Sequence, residues 1–120
     1  MFRHVLEESN IHAAIRELVA QNHLDIVQEV INAIEQHDTV VVGMAQNPAV
    51  KSVRQALTEA GVQHHYLEYG NYFSQWRRRN ALKMWTGWPT FPMVFHKGVL
   101  LGGSKNTKDL LARGELKSSV

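Results

Sequence analysis

"TVVVGMAQNPAVKSVRQALTEAGVQHHYLEY", residues 39–69, decides the fold. The run "TVVVGM" (39–44) is short, apolar and β-branched, as suits a central strand buried on both faces. From about 48 to 60 the apolar residues Val50, Val53, Ala56, Leu57 and Ala60 recur at helical spacing. Asn47 is a favoured N-cap, Pro48 suits the first helical position, and Gly61 suits the stop. "VQHHYLEY" (62–69) then reads as a second strand, with Val62, His64, Tyr66 and Glu68 on one side. Strand, helix and strand at this spacing imply a parallel pair with a right-handed crossover.

Upstream, 9–21 reads as an amphipathic helix with Ile11, Ile15, Leu18 and Val19 in its stripe and Ser9 or Asn10 as cap. A second helix, 24–36, has Leu24, Val27, Ile31 and Ile34 as its stripe, widened by Ile26 and Val30. Downstream, 72–85 reads as a helix with bulky Phe73, Trp76, Leu82 and Trp85 beside charged Arg77, Arg78 and Arg79. Two prolines and a glycine make 86–92 an irregular loop. "MVFH" and "VLLG" around "KG" signal a hairpin, and a last helix runs from Ser104 to Arg113 before Gly114. The order α-α-β-α-β-α-β-β-α describes a mixed four-stranded α/β sheet with helices on both faces.

The 120 residues suit about one domain, and 44% hydrophobic with 20% charged residues is ordinary for a globule. A net charge of +2 does not call for a nucleic-acid partner, and none is expected. No apolar run reaches the roughly 18 residues of a membrane span. The N-terminal "MFRHVLEESN" does not read as a signal peptide, so a cytoplasmic protein is expected. The absence of cysteine excludes disulfides, thiolate nucleophiles, and Cys-ligated zinc or iron–sulfur clusters. His64 and His65, adjacent on a strand, point to opposite faces and cannot chelate together. No metal site is expected from the seven histidines.

The stretch "RNALKMWTGWPTFPMVFHKGVLLGGSKNTKDLLARGEL" (79–116) closely resembles the monothiol glutaredoxins. Those proteins run Arg-Gln-Gly-Leu-Lys, Trp-Pro-Thr-Phe-Pro, a Lys-Gly hairpin, Gly-Gly-Ser-Asp and Gly-Glu-Leu. The likeness extends more weakly back to about Leu24, which delimits a glutaredoxin-like domain at 24–117. Residues 1–23 form a helical extension, and 118–120 a tail, with "KSSV" frayed. The resemblance implies a thioredoxin-like (glutaredoxin) fold.

Aligned this way, the family's Cys-Gly-Phe-Ser motif falls on Asn47-Pro48-Ala49-Val50, so Asn47 stands at the nucleophile's position. A helix N-terminus carries roughly half a positive charge, which makes a thiolate usable. An amide there can only cap. Ser52 is the nearest hydroxyl, with no evident base beside it.

The resemblance also implies a glutathione groove. Phe91, ahead of a cis Pro92, would offer its backbone; the amides of Gly103 and Ser104 would meet one carboxylate; Arg79, with Lys83 nearby, would meet the other. Three departures weaken it: no cysteine, Ala45 or Gln46 where a lysine precedes the motif, and Lys105 in place of an aspartate. No cofactor is expected beyond weak glutathione. The expected function is a non-catalytic binding module, its partner a BolA-like protein by analogy, a peptide or a small anion. A thiol-free glutathione transferase-like enzyme and a domain that homodimerises through the N-terminal helix are the alternatives.

Overall fold

The computed structural model describes residues 2–116. The 117–120 tail lies outside the described residues. In chain order the elements are a 3-10 turn (Glu8–Asn10), α1 (Ala13–Gln21), α2 (Leu24–Gln36), β1 (Thr39–Gly43), α3 (Pro48–Glu59), β2 (His65–Glu68), α4 (Trp76–Thr86), β3 (Met93–His96), β4 (Val99–Gly102) and α5 (Ser104–Ala112). The four strands make one sheet in the order β2-β1-β3-β4, with β1 and β2 parallel and the other pairs antiparallel.

β1 is buried along its whole length, as its unbroken valines require. Its side chains alternate between two cores. Val40 and Val42 join Ile26, Val30, Leu82, Met93 and Phe95 on the face covered by α2 and α4. Val41 joins Val53, Leu57, Val62 and Val94 on the face covered by α3 and α5. Gly61 stops α3 with φ +75°, and the Lys97-Gly98 turn has φ +50° and +80°, a conformation glycine adopts without steric cost.

Several boundaries and faces differ from the sequence reading. α1 begins at Ala13, capped by His12 Nδ1, which accepts from the Ala14 amide at 3.0 Å. Ser9 and Asn10 lie in the preceding 3-10 turn. Ile15, Leu18 and Val19 are exposed, because no other element packs on the α1 stripe. The buried face of α2 centres on Ile26, Val30 and Ala33, and Leu24 is 40% exposed. β2 is shorter than 62–69. α4 starts at Trp76, because Asn71 closes a turn: its Oδ1 accepts from the Phe73 amide at 2.8 Å and from Ser74 Oγ at 3.2 Å. Phe73 is therefore 93% exposed and not part of a helix face. Ala60 is an exposed C-cap rather than an inward residue.

Among the described residues no helix is long and apolar enough to cross a membrane, and no group of three His, Asp or Glu side chains gathers as metal ligands. His64 and His65 do part to opposite faces. His65 stacks on His37 at 4.1 Å between ring centroids, and His64 Nε2 accepts from Arg54 Nε at 3.3 Å.

Candidate functional site: the end of the sheet around Asn47

The C-terminal ends of β1 and β2, the start of β3 and the start of α5 meet at one end of the sheet. Val42 pairs with Met93, so Pro92 stands beside the strand end that leads to Asn47. The Ala45 amide donates to the Gly70 carbonyl at 2.8 Å, tying the loop after β1 to the turn after β2.

Asn47 caps α3 fully. Its Oδ1 accepts from the Ala49 amide at 2.9 Å and the Val50 amide at 3.1 Å, and its carbonyl accepts from the Lys51 amide. Pro48 has no N–H. Every donor of the first turn is thus absent or engaged within the chain. That leaves no amide there to hold a bound anion.

The Phe91-Pro92 peptide is cis. Phe91 is buried, and the Lys83 ammonium lies 5.7 Å from its ring centroid. Gly103 neighbours the cis-proline loop: a Cβ there would make ordinary contacts with the Pro92 carbonyl at 3.6 Å and Trp88 Nε1 at 3.7 Å. Trp88 Nε1–H is buried and has no hydrogen-bond partner among the described residues. The Gly103 amide is already donated to Asn106 Oδ1 at 3.0 Å. Of the two amides expected to receive a carboxylate, only that of Ser104 lacks an acceptor by helix geometry.

Arg79 is turned inward, 6% exposed, and its Nη1 donates to the carbonyls of Tyr69 at 2.8 Å and Ser74 at 2.6 Å. It holds the 70–75 turn. The basic run is thereby split. Arg78 pairs with Asp25 at 2.8 Å, and Arg77 lies over the Trp76 ring at 5.0 Å, so the three do not form one solvated face. The Lys108 ammonium donates to Ser52 Oγ, and as a protonated donor it is no base for that hydroxyl. Sequence reasoning missed Lys108, whose partner Ser52 lies on another helix, and Asn106. Asn106 had a readable signal, three residues after the Gly103 cap position.

No family model matches the chain. A glutaredoxin-like protein of Dictyostelium discoideum is 47% identical over 102 residues, covering 85% of this chain and 83% of that protein. The chain belongs to the glutaredoxin family. Among other glutaredoxins, monothiol glutaredoxin-S11 of Oryza sativa is 37% identical over 65 residues, 54% of this chain and 13% of that longer protein. The holo form of glutaredoxin C1 from Populus tremula x tremuloides superposes with a TM-score of 0.68 at 24% identity, covering 80% of this chain and 86% of that one. At that identity the likeness establishes the glutaredoxin fold alone. This glutaredoxin-like chain starts α3 at Asn47-Pro48 and has no cysteine anywhere.

Proposed function

We propose that this cysteine-free glutaredoxin-like protein is a non-catalytic binding module that has lost thiol–disulfide and iron–sulfur chemistry. Its occupant would be an extended segment of a partner protein, laid along Phe91-Pro92 and the start of α5 beside Asn47 and Pro48. A BolA-like protein is the first partner class to try, by analogy with the monothiol relatives. One observation carries this reading: Asn47 Oδ1 engages the Ala49 and Val50 amides that would otherwise stabilise an anion. A carboxamide is neither a nucleophile nor a thiolate ligand. Supporting it, Tyr72, Phe73 and Trp76 are 56%, 93% and 53% exposed on the turn joined to the Asn47 loop, the aromatic exposure that partner contacts use.

The unmodified chain should turn over no mixed glutathione disulfide, and measurable turnover refutes the reading. Calorimetry with a BolA-like protein should give binding that Phe73→Ser and Trp76→Ser weaken. Binding unaffected by both moves the contact elsewhere. Asn47→Cys should regain a reactive thiol if the scaffold alone survives.

A second reading, self-association through α1, has its own support. Ile15, Leu18 and Val19 form a ridge beside a groove of about 270 Å³ lined by Val19, Leu24, Val27, Ala81, Met84 and Trp85. A ridge next to a groove is self-complementary under a two-fold axis. Around it Ile15, Leu18, Val19, Leu24, Met84 and Trp85 are all exposed. Sedimentation should show a dimer that Leu18→Glu dissociates; a monomer at all concentrations removes this reading.

A further inference from the structure

Another cleft lies between α3 and edge strand β2. β1 separates β2 from β3 in the sheet, so this cleft shares Asn47 and Pro48 with the groove at Phe91 and Gly103 but opens on the other side of β1. It encloses about 480 Å³ and is lined by Met44, Gln46, Asn47, Pro48, Val50, Lys51, Arg54, Tyr66 and Glu68. That volume falls in the range of small-molecule sites. Its existence depends on Gly43. A Cβ there would come within 2.8 Å of both Val50 methyls and 3.2 Å of Tyr66, so only glycine lets these side chains close the floor.

The cleft has a charged wall and an apolar floor. Asn47, Lys51 and Arg54 share one stripe of α3 at i, i+4 and i+7. Met44 and Val50 are buried beneath them. The Arg54 guanidinium stacks over the Tyr66 ring at 3.9 Å, and its Nε is held by His64. Its plane is therefore set before any ligand arrives. Opposite, Glu68 already accepts from the Tyr66 hydroxyl at 3.0 Å. Burial first, and Glu68 second, raise the Tyr66 pKa to about 12, so this hydroxyl remains a donor at neutral pH. Among the described residues neither Lys51 nor Arg54 has an ion-pair partner. Two cations on one wall, one oriented and with its Nη atoms uncommitted among the described residues, outnumber the single Glu68 carboxylate of the lining, which keeps its charge while accepting from Tyr66.

We propose that this cleft binds a small organic anion with a flat apolar body: its carboxylate or phosphate on Lys51 and Arg54, its body on Met44, Val50 and Tyr66. Arg54 offers a fork to two anion oxygens, and Lys51 adds a point charge one turn away. The closed first turn of α3 adds no amide, so specificity for the anion rests on these two side chains.

The test is an NMR titration of the full chain with 2-naphthoate, phenyl phosphate and uncharged 2-naphthamide. Saturable shifts are expected for 2-naphthoate or phenyl phosphate at residues 44, 50, 51, 54 and 66–68, with a dissociation constant below about 1 mM. The amide should bind about ten-fold more weakly. Arg54→Gln and Lys51→Gln should each weaken the anion about ten-fold, while Lys97→Gln on the β3–β4 turn should not. Stronger response to phenyl phosphate than to 2-naphthoate assigns the site to phosphate esters, and the reverse to carboxylates. Equal binding of the amide, no saturable shift with either anion, or binding unchanged in both α3 variants overturns the proposal. Melting curves of the variants show whether they are folded, and a loss of binding counts only in folded protein. The glutathione-disulfide assay on the Asn47 groove is independent of all these outcomes.

Discussion

Replacing Asn47 by alanine isolates what its side chain does for the start of α3. The substitution removes one acceptor that serves two amides, at 2.9 and 3.1 Å. Val50 is 3% exposed, so water is poorly placed to take over its amide. An N-cap loss costs about 0.5–2 kcal/mol, and two partly shielded amides put this one near about 1.5 kcal/mol. For a chain of this size that lowers the melting temperature by about 5 °C. Asn47→Asp keeps the acceptor and adds a negative charge at the positive end of the helix, a gain of about 0.3–1 kcal/mol at neutral pH. The helix depresses the introduced carboxyl's pKa, so the gain is present above the unfolded carboxylate range and fades as pH falls through the folded value. Thermal and urea unfolding followed by circular dichroism would measure both. A change within about 1 °C for Asn47→Ala, or equal destabilisation by alanine and aspartate, would show that the cap does not govern this position.

Arg79→Met should cost about 2–4 kcal/mol, because it leaves the Tyr69 and Ser74 carbonyls without their donor; hydrogen exchange should quicken first in the 70–75 turn. Gly43→Ala should destabilise by about 1–3 kcal/mol in urea melts, since its Cβ meets the Val50 methyls at 2.7 and 2.8 Å. His64 should titrate below 6.5 by NMR, chiefly from burial, with the Val62 backbone hydrogen bond opposing and the Arg54 charge adding a smaller push down, and Arg54→Gln should raise its pKa. With a lowered folded pKa, that histidine's contribution is fully present above about pH 6.5 and is lost as pH falls from there towards the folded value. A His64 pKa above 6.5 would refute the sign.

How much was legible depended on whether a signal was local. β1 was readable because a strand buried on both faces leaves an unbroken run of valines. The Asn47-Pro48 helix start, the Gly61 and Gly114 stops and the Lys97-Gly98 turn were readable because caps and positive-φ turns are determined by residues adjacent in the chain. The start of α4 was not, because Phe73 and Trp76 match helical spacing while Asn71 closes a turn across them. The stripe of α1 was read correctly as apolar, but spacing alone does not say whether another element will cover it.

The sequence by itself determined the order of elements, the absence of any cysteine and the capping role of Asn47, because composition and short-range backbone geometry decide these. Only the tertiary structure decided that Arg79 turns inward, that Lys108 meets Ser52, and that Arg54 stacks on Tyr66 beside a cleft. Arg79, Arg54 and Lys51 are alike as charged residues on helices. What separates them is the neighbour that folding brings from another part of the chain: two carbonyls above Arg79, an aromatic ring under Arg54, and open space before Lys51.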